Sequence, residues 1–238
     1  MHGRVQEGTR TWVIPAASPE QERVLSPRPG QTIWRVELQV HRYNQGGDDV
    51  PSWMMTSLSA RIVAARAQWA SRGQARPALA VIPGPGQESV WDYPRPPRLV
   101  PDPREVVVRW GEIEVARTHR ALRMLETSHP PSYYLPWDDV AKSLLEPAGG
   151  ASFCEWKGPA RYWTLVDGNR CLDRVAWSYP DPLPGAEALA ACVAFYASAL
   201  DCRVDGTPVR PQPGGFYGGW ITPDLVGPFK GEPGSQGW

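Results

Sequence analysis

Glu105-Val106-Val107-Val108-Arg109-Trp110-Gly111, then Ile113-Glu114-Val115-Ala116, is the stretch on which the fold turns. Three consecutive valines are stiff at χ1 and fit a pleated, half-buried strand better than a helix. Gly111 allows a sharp reversal, and the two apolar runs then read as a β-hairpin. Downstream, the sequence predicts further strands over 121–126, 133–136, 153–157, 161–166, 170–179, 193–196 and 202–204. His129-Pro130-Pro131, Asp167-Gly168-Asn169 and Asp205-Gly206 punctuate them. Upstream, the prolines of 91–97 predict an extended segment anchored by Trp91 and Tyr93. Asp138 is placed to cap a short helix running to Leu145 and closed by Pro147. Residues 187–191 predict one further helical turn, and 211–220 an irregular, glycine-rich close. The expected fold is mainly β: one domain of about eight short strands, a curled sheet or barrel, with one or two short helices.

Composition agrees. The chain of 238 residues holds 27 Pro, 23 Gly and 12 Trp, which favours turns and short strands over long helices. Formal net charge is zero, so nothing electrostatic calls for nucleic acid or an anionic membrane as partner. No apolar run reaches the ~20 residues of a membrane span, and the first ten residues lack the apolar core of a signal peptide. Cys154, Cys171, Cys192 and Cys202 form no C-x-x-C pair and read as free thiols of a cytoplasmic protein. Oligomeric state is not legible.

Residues 1–85 differ in character. They contain no Lys, show little apolar period and predict a mostly unstructured extension. One segment, 54–73, places Met55, Leu58, Ile62, Ala65 and Trp69 at helical spacing. It is either a marginal helix or an amphipathic helix that docks on a partner, and a translational start at Met54 or Met55 would keep it as a lead into the domain. The linker at 81–86 marks the expected boundary, the domain running over 86–232 with a flexible tail at 233–238.

Five motifs carry a resemblance. Glu126-Thr127-Ser128-His129-Pro130-Pro131 with Tyr133-Tyr134-x-Pro136, Phe153-Cys154-Glu155-Trp156-Lys157-Gly158, Ala176-Trp177-Ser178-Tyr179-Pro180-Asp181-Pro182, Val193-Ala194-Phe195-Tyr196, and Gln212-Pro213-Gly214-Gly215-Phe216-Tyr217-Gly218-Gly219-Trp220 occur in order. Over about 88–230 the chain resembles domain of unknown function (DUF) family 427. The resemblance implies a compact β fold grouped with the β-tent domains of methionine sulfoxide reductase B and cereblon. Many such domains hold zinc through paired C-x-x-C motifs, which are missing here, so neither metal nor reductase chemistry carries over.

Candidate chemistry gathers at strand ends. Cys154 is the best candidate nucleophile; the plain alternative is a small buried hydrophobe. Strand alternation over 153–157 would place Lys157 on the opposite face, poorly set to help the thiol. Glu126 follows an apolar run, where burial would raise its pKa for acid–base work; alternatively it caps the turn after it. A Cys154–His129 dyad has no sequence signature. Tyr133, Tyr134, Trp156, Lys157, Trp177, Tyr179 and Tyr217 are candidates for a ligand pocket, against the alternative of an ordinary aromatic core. No metal-ligand set, nucleophile elbow or phosphate-binding loop is present, and any cofactor stays open. The expectation is a small-molecule-binding β domain, with catalysis an open question. The competing expectation is a non-catalytic interaction module docking through 54–73.

Overall fold

The computed structural model describes residues 4–7, 10–13 and 76–235. The segment 54–73 lies outside the described residues, as do Met54 and Met55. The chain divides into two units, Met1–Arg42 and Tyr43–Trp238. In the first, β1 (Arg4–Glu7) and β2 (Arg10–Val13) form an antiparallel hairpin with Arg4 opposite Val13, an element that the irregular leader did not predict.

The second unit is mainly β. Its strands are β3 (Glu88–Ser89), β4 (Arg98–Asp102), β5 (Val106–Trp110), β6 (Ile113–Thr118), β7 (Ala121–Leu125), β8 (Ser132–Pro136), β9 (Leu145–Cys154), β10 (Gly158–Asp167), β11 (Arg170–Ser178), β12 (Cys192–Phe195), β13 (Asp201–Val204), β14 (Thr207–Pro208), β15 (Arg210–Pro211), β16 (Trp220–Ile221) and β17 (Leu225–Val226). A seven-stranded sheet runs β4-β7-β8-β12-β11-β10-β9, and a four-stranded sheet runs β14-β13-β5-β6. Both curl, and neither closes into a barrel. Among the described residues no helix is long and apolar enough to cross a membrane.

The hairpin of β5 and β6 forms around Gly111, whose φ of 60° is open to glycine. Its Val106, Val108 and Val115 enter a core shared with Tyr133 and Leu135 of β8 and Val193 and Phe195 of β12. Period-two alternation sends the intervening Tyr134, Cys192 and Ala194 into a second core with Trp177 and Tyr179. The seven-stranded sheet is thus buried on both faces at its centre, which explains why β8 and β12 read as near-continuous apolar runs.

Three local expectations are corrected. The helix capped by Asp138 is absent. Two 3-10 turns, Trp137–Asp139 and Lys142–Leu144, stand in its place, and Leu145 already opens β9. Pro147 does not stop the chain because β9 is an edge strand, where a missing N–H is tolerated. Second, 153–157 is not one strand. β9 ends at Cys154, which pairs with Gly158, so Glu155, Trp156 and Lys157 form the turn into β10. Third, 91–97 is not extended throughout. Val90–Asp92 is a 3-10 turn capped by Ser89, although Trp91 and Tyr93 are both buried.

Candidate functional site

The loop after β7 is held from several sides. Ser128 takes a left-handed φ of 68°, and the His129 N–H donates to the Glu126 carbonyl at 3.0 Å. The Thr127 hydroxyl donates to the Tyr93 carbonyl, the Ser128 N–H to the Val90 carbonyl, and the Lys230 N–H to the Ser128 carbonyl. Pro130 and Pro131 then stiffen the path into β8. A non-glycine residue in that left-handed region persists because these bonds over-determine it, and such strain gathers at functional sites. Its effect is to set Glu126 and His129 in each other's field. Arg95 reaches across to donate to Glu126 Oε1 at 3.3 Å and to the Thr127 carbonyl at 3.2 Å. His129 Nδ1 lies 3.0 Å from the same carbonyl. A carbonyl only accepts, so Nδ1 carries the proton and Nε2 keeps its lone pair.

The second half comes from the β9–β10 turn. Gly158, at φ 100°, lets the chain reverse where an added Cβ would sit 3.1 Å from the Asp181 carbonyl oxygen. The reversal folds Lys157 back toward Cys154, which is its strongest favourable electrostatic neighbour. The expectation that Lys157 faces away from the thiol is therefore wrong: alternation governs a strand, and this is a turn. The Lys157 ammonium stands 5.8 Å from the centre of the Tyr179 ring. Tyr134 meets Tyr179 and Trp177, each with centroids at 6.3 Å, and Trp177 packs on Tyr196 at 4.4 Å.

Electrostatics differ from expectation. Burial favours a protonated Glu126, yet His129, Lys157 and Arg95 together hold its carboxyl below the usual range, so Glu126 is ionised rather than poised as an acid. Burial pushes His129 down, against the pull of Glu126, leaving a neutral imidazole. Glu155 is the carboxyl raised by burial and by Glu126. Burial also raises the Cys154 thiol, with Lys157 pulling it back, and raises the Tyr134 and Tyr179 hydroxyls. For Lys157 burial opposes the charge, but Cys154, Tyr134, Tyr179 and Glu126 outweigh it and hold the ammonium well above the lysine range. Chemically, the arrangement offers an ionised carboxylate, a neutral imidazole, a protonated thiol and a buried cation.

Of the residues read from the sequence, Glu126, Tyr134, Cys154, Lys157, Trp177 and Tyr179 come together. Tyr217 stands at the margin, 4.9 Å edge-on to His129. Trp156 is buried in the turn itself. Tyr133 points to the other face, stacks on Trp220 at 5.0 Å and bonds Arg104, so it belongs to the main core. Arg95, Glu155 and Lys230 were missed. Arg95 lies inside a proline run and Lys230 far down the chain, and no local pattern links either to Glu126. Among the described residues, no group of three or more His, Cys, Asp or Glu side chains could hold a metal ion.

No curated protein matches the chain. The family described as domain of unknown function (DUF427) matches residues 98–206, a stretch that takes in β4 to β13 and every site residue named above except Arg95, Tyr217 and Lys230. With the β architecture and this match in hand, residues 98–206, a little under half of the chain, are similar to the DUF427 family.

Proposed function

We propose that the domain binds a small molecule against the wall formed by Tyr134, Trp177 and Tyr179, with Glu126, His129 and Cys154 as the groups able to act on it. The carrying observation is the gathering of Glu126, His129, Tyr134, Cys154, Lys157 and Tyr179, from three separate stretches of chain, into electrostatic range of one another. A domain stabilised only by packing would not bury so many ionisable groups together, because each costs desolvation. Perturbed groups in such clusters are more typical of sites than of cores. All four cysteines are unpaired, which suits a reducing, cytoplasmic setting.

The test combines reactivity with ligand screening. Native protein treated with iodoacetamide should be alkylated at Cys154 before Cys192 and Cys202, which are buried. Fragments that raise the melting temperature should lose that effect in Glu126→Gln. If Cys154 stays unmodified and no fragment shifts the melting temperature, the reading fails.

A further inference from the structure

We infer that the ligand of this site carries an oxyanion, a carboxylate or a phosphate, seated between Lys157 and Tyr134. The inference rests on the small-molecule reading above and names the chemical class it takes. Lys157 is only 9% exposed, yet among the described residues its ammonium makes no hydrogen bond and has no carboxylate within 4.0 Å. Tyr134 is 0% exposed; the Trp177 indole beside its hydroxyl can only donate, so the phenolic O–H has no acceptor among the described residues. Buried polar groups are ordinarily satisfied, so an unsatisfied hydroxyl in the field of a largely buried ammonium calls for an acceptor that both can share. The phenol is held protonated by burial, so what it offers is an O–H.

The charge balance points the same way. Arg95, Lys157 and Lys230 face Glu126, whose carboxylate already accepts from Arg95. Glu155 is pushed toward its neutral form. An anion beside Lys157 would be favoured by these positive neighbours. Lysine usage adds a further observation. The chain's 25 basic residues include only three lysines, Lys142, Lys157 and Lys230, and two of these meet at Glu126. An ammonium is a compact point charge that suits an oxyanion from one side, where a guanidinium needs room for its fork. Trp177 and Tyr179 would lie against the body of the ligand.

The experiment titrates the full chain with sodium phosphate, sodium benzoate and benzyl alcohol, at one ionic strength held with sodium chloride, following tryptophan fluorescence. Saturable binding of benzoate at least about tenfold tighter than benzyl alcohol supports the inference and identifies a carboxylate. Saturable binding of phosphate supports it and identifies a phosphate. Lys157→Met should erase the preference for the anion, and Tyr134→Phe should weaken anion binding about tenfold, as expected for a lost charge-assisted hydrogen bond. If benzyl alcohol saturates while benzoate is no tighter and phosphate does not bind, the oxyanion is overturned but the small-molecule site stands. If none of the three binds and Cys154 also resists alkylation, both readings fall. The comparison of ligands on the unaltered protein decides the matter even where a variant fails to fold.

Discussion

Lys157 and Cys154 show how one turn changes the chemistry of a residue. On a continuous strand they would project to opposite faces, and the thiol would have only burial acting on it. Across the turn that Gly158 permits, the ammonium partly offsets the rise that burial imposes on the thiol. The sign yields a prediction. Lys157→Met removes the offset, pushes the thiol higher and cuts its thiolate fraction, so alkylation of Cys154 at about pH 8.5 should slow. Peptide mapping after timed iodoacetamide exposure measures it; an unchanged rate would mean that Lys157 does not reach the thiol. At this scale the sequence could single out Glu126 and Cys154 as candidates, because an acid beside a rigid turn and a thiol among aromatics are visible locally. It could not reveal the direction of the Glu126 shift. That is set by His129, Lys157 and Arg95, which lie next to it only in space.

The ion-pair network around Asp102 works between elements. Asp102 of β4 is 4% exposed and receives Arg104 Nε at 3.0 Å and Nη2 at 2.7 Å, while Arg123 of β7 stands 3.3 Å away. Arg123 continues to Glu88 of β3, and Arg104 reaches Tyr133 of β8 and Asp224 before β17. Burial disfavours the Asp102 charge, but the Arg104 hydrogen bonds outweigh it and hold the carboxyl below its ordinary value. A carboxyl depressed in the folded state contributes stability above its unfolded pKa and loses it as pH falls through the folded pKa. Stability should therefore decline on acidification below about pH 4. Asp102→Asn should cost about 3 kcal/mol at neutral pH in urea unfolding and flatten that decline, because it leaves two guanidinium groups without their shared partner. An unaltered acid limb in the variant would assign the effect to other carboxylates. Strands at this scale were legible wherever β-branched or aromatic residues alternate, as in β5, β8 and β12. The 138–145 segment was not, because Pro147 reads as a stop unless one knows that β9 lies on an edge, and edge position is a property of the whole sheet.

The ends of the domain close on each other, and this decides what can fold alone. β17 pairs in parallel with β3, and the Trp91 indole donates to the Pro228 carbonyl at 3.0 Å. Val90, Trp91, Tyr93, Leu125, Ile221, Leu225 and Phe229 form a third core, with Ala80 packed against it. Six of those seven buried residues lie outside 98–206, as do Arg95 and Lys230, which bring positive charge to Glu126. At roughly 1.5–3 kcal/mol per buried large side chain, losing this core removes an amount comparable with the whole stability of a domain, about 5–15 kcal/mol. A chain cut to 98–206 should therefore lack a cooperative unfolding transition. A chain cut to 86–235 keeps the third core and the site, and loses the exposed Arg76–Asp92 pair, the Ala80 contact and the Val81 N–H bond to the Gly227 carbonyl. The bond is worth about 1 kcal/mol, so this chain should melt cooperatively a few degrees below the parent. Thermal unfolding followed by circular dichroism separates the two cases. A cooperative melt from 98–206 would show that the domain closes without its flanks, and that Arg95 and Lys230 are not needed for the fold.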